Sequence, residues 1–288
     1  MSVVLLAVPN VSEGSDELAV AEIADAFAAG GAQLLDIHSD ADHNRSVVTL
    51  AGAPGSIARA LLAGAREAVD RIDLTRHRGL HPHVGALDVA PVVHLDPRDR
   101  GAACAEALVA ADLIATELAI PVFLYGELAE GRTRAELRRG GAPELARRLR
   151  AGELAPDFGP PELHPTAGAT LIAARPPLVA FNVELAAPAT LAEANAIAAR
   201  IREGGPEGLP GVRAIGLELA ARDNVAQVSL NVEDPDRTPL AAVIAAIARH
   251  AGIAEAELVG LAPAAAFDGF PDEVVVRNRR TIEDAVGS

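Results

Sequence analysis

The predicted secondary structure repeats between the two halves of the chain, and this repeat limits the fold more than any other feature. Hydrophobic runs, helix caps and glycine stops predict the order strand, helix, strand, strand, helix, strand in each half. The first strands carry similar segments, Ala-Val-Pro-Asn-Val at residues 7–11 and Val-Ala-Phe-Asn-Val at residues 179–183. This order is the split βαβ arrangement. It predicts an α/β protein of the α+β sandwich type, with domains at residues 1–176 and 177–288.

The predicted bounds of the strands and helices follow the spacing of the apolar residues and the positions of glycine and proline. In the first half, strands are expected at residues 3–8, 32–37, 46–50, 84–93 and 122–125. Helices are expected at 15–30, with Ser15 as N-cap, at 56–72, and from Asp96 to the residue before Pro121. Residues 126–168 are expected to be irregular except for a short helix at 144–149. In the second half, Thr190 and Glu193 predict a capping box.

Composition limits the partners and the compartment. The formal net charge is −15, and the positive side chains are all arginines. Nucleic acid and anionic membranes are therefore not expected as partners, since both attract basic surfaces.

Cys104 is the single cysteine, so no intrachain disulfide can form. Residues 3–8 resemble a first strand rather than a signal peptide, and no apolar run approaches the roughly 20 residues of a membrane span. A cytoplasmic protein is expected.

The densest group of chemically active side chains is the segment Arg-His-Arg-Gly-Leu-His-Pro-His-Val-Gly at residues 76–85. It lies between a predicted helix and a predicted strand, where functional loops are common. One interpretation is a metal site with His77, His81 and His83 as nitrogen ligands. The alternative is a histidine that acts as general base near neutral pH. The two arginines in the segment would repel a cation, which favours the base; a solvated histidine-rich turn is the remaining alternative.

Two further segments are candidates for ligand binding. Residues 36–45 contain three aspartates followed by Asn44 and Arg45, but they lack the glycine and distal glutamate of a calcium loop. Asn44 and Arg45 are interpreted as polar anchors for a ligand or as turn-capping residues. Residues 155–170 are rich in proline and glycine and contain one aromatic residue. Such a segment could line the site of a planar ligand or link the two halves.

Taken together, these segments resemble the glutamate formiminotransferase family, including the formiminotransferase part of formiminotransferase-cyclodeaminase. The similarity follows the same order along roughly residues 5–265. The matching segments are Val-Pro-Asn-Val-Ser-Glu-Gly at 8–14, His-Asn-Arg-Ser-Val at 43–47, residues 76–89, Pro-Val-Phe-Leu-Tyr-Gly-Glu at 121–127, Pro-Asp-Phe-Gly-Pro at 156–160, Gly-Ala-Thr at 168–170 and Ala-Phe-Asn-Val at 180–183.

The resemblance implies two ferredoxin-like βαββαβ subdomains with a ligand tunnel between their sheets. It implies that His81, in the His-Pro-x-x-Gly-Ala-Leu-Asp segment, is the catalytic residue, and that the folate-contacting loop is Gly159–Gly168. The expected substrate- and folate-binding residues are Asn10, Asn44, Arg45, Arg76, Arg78, Gly159, Pro160, His164, Thr166, Gly168 and Thr170. An acidic residue of the bifunctional relatives corresponds to His38 here, which leaves Asp36, Asp40 and Asp42 as candidates to orient His81.

The resemblance therefore predicts transfer of a formimino group between N-formimino-L-glutamate and tetrahydrofolate, with His81 as acid and base. Tetrahydrofolate is expected as co-substrate, no metal is expected, and a homodimer is left open. The alternatives are an activity like that of 5-formyltetrahydrofolate cyclo-ligase, a folate-binding protein without turnover, and a metal hydrolase. The first of these would need ATP, and the sequence shows no nucleotide motif.

Overall fold

The computed structural model of the chain describes residues 3–79 and 82–287. The chain divides into two compact units, Met1–Pro176 and Pro177–Ser288. Each unit combines helices with one β-sheet, which is the α+β class expected from the sequence. No helix in the described ranges is both long enough and apolar enough to cross a lipid bilayer.

The N-terminal unit contains a mixed sheet of parallel and antiparallel strands. Its strands are β1 (Leu5–Ala7), β2 (Asn10–Val11), β3 (Gln33–Asp40), β4 (Arg45–Gly52), β5 (Leu87–His94), β6 (Val122–Leu124) and β7 (Thr170–Arg175). Its helices are α1 (Glu17–Ala29), α2 (Ile57–Arg71), α3 (Arg100–Leu118), α4 (Arg134–Arg138) and α5 (Gly141–Arg150). The sheet runs β3-β4-β1/β2-β5-β7-β6, since β1 and β2 both pair with β4 and β5.

The C-terminal unit has the same arrangement of its repeated elements. Its strands are β8 (Val179–Leu185), β9 (Val212–Leu219), β10 (Val225–Val232), β11 (Ile253–Val259) and β12 (Val276–Arg277). Its helices are α6 (Leu191–Ile201), α7 (Leu240–Ala248) and α8 (Ile282–Gly287). The sheet runs β12-β11-β8-β10-β9. In each sheet, the first strand of the repeat (β1/β2 or β8) lies between the fourth (β5 or β11) and the third (β4 or β10). The second strand of the repeat (β3 or β9) lies beyond the third.

Small residues allow the helices to pack closely on the first sheet. The core of the N-terminal unit is mainly alanine, leucine, isoleucine and valine, as the low aromatic content predicts. Phe27 of α1 is fully buried and lies against Gly64 of α2. A Cβ added at Gly64 would come within 2.1 Å of the Phe27 ring, so the contact between α1 and α2 requires glycine at that position.

The start of α1 differs from the prediction by one residue. The N-cap is Asp16, whose side chain accepts hydrogen bonds of 3.1 Å from the backbone N–H groups of Leu18 and Ala19. Ser15 was the predicted cap, and this prediction is wrong. The Glu13 carboxylate accepts from the N–H groups of Ser15 and Asp16 at 2.7 and 2.9 Å, which fixes a turn before the helix begins.

The start of α2 is stabilised by a side chain from another helix. Its N-cap, Ser56, makes no side-chain capping bond. Instead, the buried carboxylate of Glu106 on α3 accepts from the backbone N–H groups of Gly55 at 2.5 Å and Ala58 at 2.9 Å. A carboxylate at a helix N-terminus satisfies N–H groups that the helix cannot bond itself and interacts favourably with the helix dipole. Glu106 therefore joins α2 to α3.

We expect Glu106→Gln to lower the free energy of unfolding by about 1–3 kcal/mol, because the amide removes the charge and one of two acceptor oxygens at a buried site. Urea denaturation followed by circular dichroism measures the change. Glu117→Gln is the matched control, since Glu117 lies on the same helix but forms an exposed pair with Arg66. Equal destabilisation by the two substitutions would show that Glu106 does not cap α2.

Candidate active site

The buried carboxylate of Asp88 on β5 organises the polar residues of the first sheet. Asp88 is fully buried. Its Oδ1 accepts from the backbone N–H of Val84 at 2.8 Å, and its Oδ2 accepts from Arg45 Nη1 at 2.8 Å and from Arg138 Nη2. Burial alone would raise the pKa of Asp88, but the guanidinium groups of Arg138 and Arg45 hold it well below its usual range. Asp88 is therefore ionised at neutral pH.

Arg45 links Asp88 to β2. It is the first residue of β4, and its Nε and Nη2 donate to Asn10 Oδ1 at 3.0 and 2.7 Å. Burial lowers the pKa of Arg45 to about 10, against the opposing effect of Asp88. Arg45 still carries its charge at neutral pH. The predicted ligand-binding residues Asn10 and Arg45 therefore hold each other and the Asp88 carboxylate.

Asn44 holds the beginning of the histidine-rich segment. It has a positive φ of 46°, which asparagine tolerates better than most residues. Its Oδ1 accepts from Gly14 N–H at 2.9 Å, and its Nδ2 donates to the carbonyl of Arg78 at 2.9 Å. The same Nδ2 lies 3.3 Å from His77 Nδ1. A Cβ added at Gly79 would lie 2.5 Å from the carbonyl oxygen of His43, so the two chain segments are in close contact.

Two histidines of the segment contact each other. The rings of His77 and His83 have centroids 4.1 Å apart and planes inclined by 69°. Burial, with a smaller contribution from His83, lowers the pKa of His77, which favours a neutral imidazole at pH 7. His81, the predicted acid–base residue, and Leu80 lie outside the residues that the structure describes.

The segment before β7 packs against the residues that follow the histidine-rich loop. Backbone hydrogen bonds join His164 and Gly168 in both directions, at 2.9 and 3.0 Å. Ala169 N–H donates to the Val84 carbonyl at 2.9 Å. Gly168 has a φ of 69°, and a Cβ there would lie 2.1 Å from the Val84 carbonyl oxygen. The candidate folate loop and residues 84–86 are thus in direct backbone contact.

The other predicted binding residues have different environments. The Thr166 carbonyl accepts from Leu74 N–H at 2.8 Å, and the buried Thr170 hydroxyl donates to the Leu87 carbonyl at 2.8 Å. Gly159, with a φ of 84°, lies against Ile120, and the adjoining Pro160 is half-buried. Arg76 and Arg78 are exposed. Arg78 Nη1 donates to the carbonyl of His77 at 2.8 Å.

Arg138 was not among the predicted site residues, although it contacts the central carboxylate. It lies on α4, in a region predicted to be irregular. The sequence did contain a signal at Asp88, the partner of Arg138. Asp88 interrupts a run of apolar residues in the strand predicted at residues 84–93, and a carboxylate buried in such a strand requires a cationic partner. Arg138 is 50 positions further along the chain than Asp88, so the sequence does not indicate which arginine is the partner.

The described residues contain no cluster of potential metal ligands. Within 3–79 and 82–287, no group of three or more histidine, cysteine, aspartate or glutamate side chains is arranged to hold a metal ion. Asp40, a candidate to orient His81, contacts His43, with Oδ2 2.7 Å from His43 Nδ1. The backbone N–H of His43 donates to Asp40 Oδ1 at 2.8 Å. His43 thus occupies both oxygens of that carboxylate.

We expect Asp88→Asn to destabilise the protein by about 3–5 kcal/mol at pH 7, because two guanidinium groups then lose their buried counter-charge. The folded-state pKa of Asp88 is depressed, so its contribution is present above the unfolded pKa of about 4 and declines as pH falls below that value. The stability difference between the native protein and the variant should therefore shrink in acid.

Urea denaturation at a series of pH values tests this expectation. Asp96→Asn is the control, because Asp96 pairs with Arg98 at the surface and asparagine preserves its capping role. A stability change for Asp88→Asn as small as that of the control would contradict a central role for this carboxylate.

Known proteins match nearly the whole chain in sequence. The sequence model of the formiminotransferase domain, N-terminal subdomain, matches residues 4–175, and that of the formiminotransferase domain matches residues 180–281. The glutamate formimidoyltransferase of Streptococcus pyogenes serotype M1 is 38% identical over 93% of this chain and 91% of its own. That of Thermoplasma acidophilum is 34% identical over 89% and 87%.

Longer relatives match as well. The formimidoyltransferase-cyclodeaminase of Gallus gallus is 38% identical over 89% of this chain and 49% of its own. This chain therefore spans about half the length of the formimidoyltransferase-cyclodeaminases that it matches. The two domain matches and the identity to shorter and longer relatives lead to one assignment: the chain belongs to the formiminotransferase family.

Proposed function

We propose that the protein is a glutamate formimidoyltransferase, which transfers a formimino group between N-formimino-L-glutamate and tetrahydrofolate. The observation that carries the proposal is the match to a glutamate formimidoyltransferase of similar length along nearly the whole chain. Such an enzyme would act in histidine degradation and supply one-carbon groups to folate. Its substrates are small anions, which arginine side chains can bind within an acidic protein.

In the proposed reaction, N5 of tetrahydrofolate attacks the formimino carbon and forms a new C–N bond. His81 takes the proton from the attacking amine, and a tetrahedral intermediate forms. The bond from this carbon to the glutamate nitrogen then breaks, and His81 returns a proton to the leaving amine. One imidazole can serve as base and then as acid because its ordinary pKa lies close to neutral pH.

The described residues support this proposal through the two flanks of the Leu80-His81 dipeptide. Asn44 bonds the carbonyl of Arg78 on one side, and Asp88 bonds the N–H of Val84 on the other. Each anchor is itself held by other elements, Asn44 by Gly14 and Asp88 by Arg45. Both described flanks of the segment are therefore held by side chains that come from other elements.

Roles for the other predicted residues follow from the same proposal. Arg76 and Arg78 would bind carboxylates of the glutamate derivative or of folate, and Asn10, Asn44 and Arg45 would line the site. Gly159, Pro160, His164, Thr166, Gly168 and Thr170 would form the folate-contacting loop. The two ferredoxin-like subdomains of this proposal are residues 1–176 and 177–288. We further propose a cytoplasmic enzyme that works without a metal, and a homodimer is compatible with this scheme.

An assay of N-formimino-L-glutamate with tetrahydrofolate tests the activity, and alanine variants at His77, His81 and His83 test the assignment. We expect His81→Ala to fold and bind folate but to lose about 10²-fold or more of turnover, because a general base contributes mainly to the transition state. Turnover of the native enzyme should also fall below about pH 6.5, where an unperturbed imidazole gains its proton. Near-normal turnover of His81→Ala, with loss in a neighbouring variant, would move the role to that neighbour.

Metal independence can be measured separately. Full turnover after exhaustive chelation, together with less than stoichiometric metal by elemental analysis, is the expected result, because the segment's two arginines disfavour a bound cation. Addition of zinc to the chelated enzyme is the control and should restore nothing. Stoichiometric zinc whose removal abolishes turnover would instead support the metal-site interpretation of His77, His81 and His83.

A further inference from the structure

Helix α4 carries two arginines close to the Asp88 ion pair. Arg134 and Arg138 are four residues apart, and this spacing places them on the same face of a helix. Arg138 contacts Asp88 directly. Burial is the main cause of the lowered pKa of Arg45, and the charges of Arg138 and Arg134 lower it further. Arg45 and Arg138 thus contact one carboxylate, and Arg134 lies one helical turn from Arg138.

This local excess of positive charge is unusual in a chain with a net charge of −15. Asp88 can balance only one of the three cations, and its two oxygens already accept from Val84, Arg45 and Arg138. Like charges held close together in a partly buried place raise the free energy of the folded state. A bound anion would balance this excess, and none of the acidic side chains forms an ion pair with Arg134 among the described residues.

The three arginines differ in how many hydrogen-bond donors remain free. Arg45 uses Nε, Nη1 and Nη2 on Asn10 and Asp88. Arg138 uses Nη2 on Asp88, whereas its buried Nε has no partner. Arg134 lies over the ring of Tyr125, with its Cζ 5.7 Å from the ring centroid, and the buried Tyr125 hydroxyl also has no partner. The free donors are thus concentrated on α4 and the adjoining Tyr125, while Arg45 positions Asp88.

We propose that Arg134 and Arg138 form a subsite for the carboxylate of a glutamate unit, with Arg45 and Asp88 as positioning residues behind it. This inference rests on the proposed function, whose two substrates both contain a glutamate unit. A carboxylate suits these groups because a guanidinium presents its donors in a planar fork that matches two carboxylate oxygens. The glutamate unit can belong to N-formimino-L-glutamate or to the tail of folate.

Steady-state kinetics of Arg134→Gln and Arg138→Gln test the subsite. We expect Arg134→Gln to raise the KM of one substrate by about 10-fold or more and to change kcat little, since a charge-assisted bond distant from the reacting carbon binds ground state and transition state equally. Arg138→Gln should raise the same KM, but it also removes one of the two cations that neutralise Asp88. Arg139→Gln is the matched control, because Arg139 is an exposed arginine next to the same helix. Arg138→Lys keeps the charge but loses the fork, so it should recover part of the affinity while preserving the Asp88 pair.

The choice of substrate distinguishes the two sources of the carboxylate. A raised KM for N-formimino-L-glutamate alone assigns the subsite to the amino acid substrate. A raised KM for tetrahydrofolate, with no change for tetrahydropteroate, which lacks the glutamate, assigns it to the folate tail. Unchanged KM values for both substrates in folded, active Arg134→Gln and Arg138→Gln proteins would overturn the subsite.

Direct binding separates failure of the subsite from failure of the proposed function. Calorimetric titration of the native protein with L-glutamate and with tetrahydrofolate, repeated with Arg134→Gln, needs no turnover. Absence of turnover together with arginine-dependent binding of either ligand would reject the transferase and retain the subsite. Binding of both ligands with the same affinity in the variant would reject the subsite whatever the turnover.

Discussion

The polar residues of the N-terminal unit depend on the buried carboxylate of Asp88, which is stable only because guanidinium groups neutralise it. Asp88 lies in a strand whose other residues are all buried, and an unpaired charge there would be very costly. Arg45 from β4 and Arg138 from α4 neutralise it, while the backbone of Val84 supplies a further hydrogen bond. One side chain thereby fixes β4, α4 and the end of the histidine-rich segment relative to β5.

The backbone provides the second constraint, because two segments distant in sequence approach too closely for side chains. A Cβ at Gly85 would lie 1.9 Å from the Ala169 carbonyl oxygen. Ala86 N–H donates to the Ala167 carbonyl at 2.9 Å, and Ala169 N–H donates to the Val84 carbonyl at the same distance. The segment that resembles a folate loop is thus attached to the segment that resembles a catalytic loop. Small residues at 85, 86, 167 and 169 make this attachment possible.

Local features of the fold were predictable, whereas features set by distant partners were not. The capping box of Thr190 and Glu193 follows from local sequence and agrees with the structure. Helix α4 was missed because five residues give no periodic pattern, and β7 because its parallel pairing with β5 and β6 joins remote segments. Ser15 and Asp16 are both good capping residues, and only the hydrogen bonds of Glu13 decide between them.

The repeated units share their strand order but carry opposite charge on their polar clusters, which explains why a carboxylate subsite belongs to the first unit. Asn10 and Asn182 occupy matching places in the two repeats, yet Asn10 accepts from Arg45, whereas Asn182 Nδ2 donates to Glu257 at 3.1 Å. Around Asn182 the cluster contains Glu184, Glu255, Glu257, Arg222 and Arg277. Carboxylates outnumber guanidinium groups there, and burial raises the pKa of Glu184 despite its two arginine partners. The carboxylate of a ligand would be repelled by the cluster around Asn182 and attracted by the arginine-rich cluster around Asp88. The two copies of the repeated fold therefore differ in charge, and the N-terminal unit is the one suited to bind an anion.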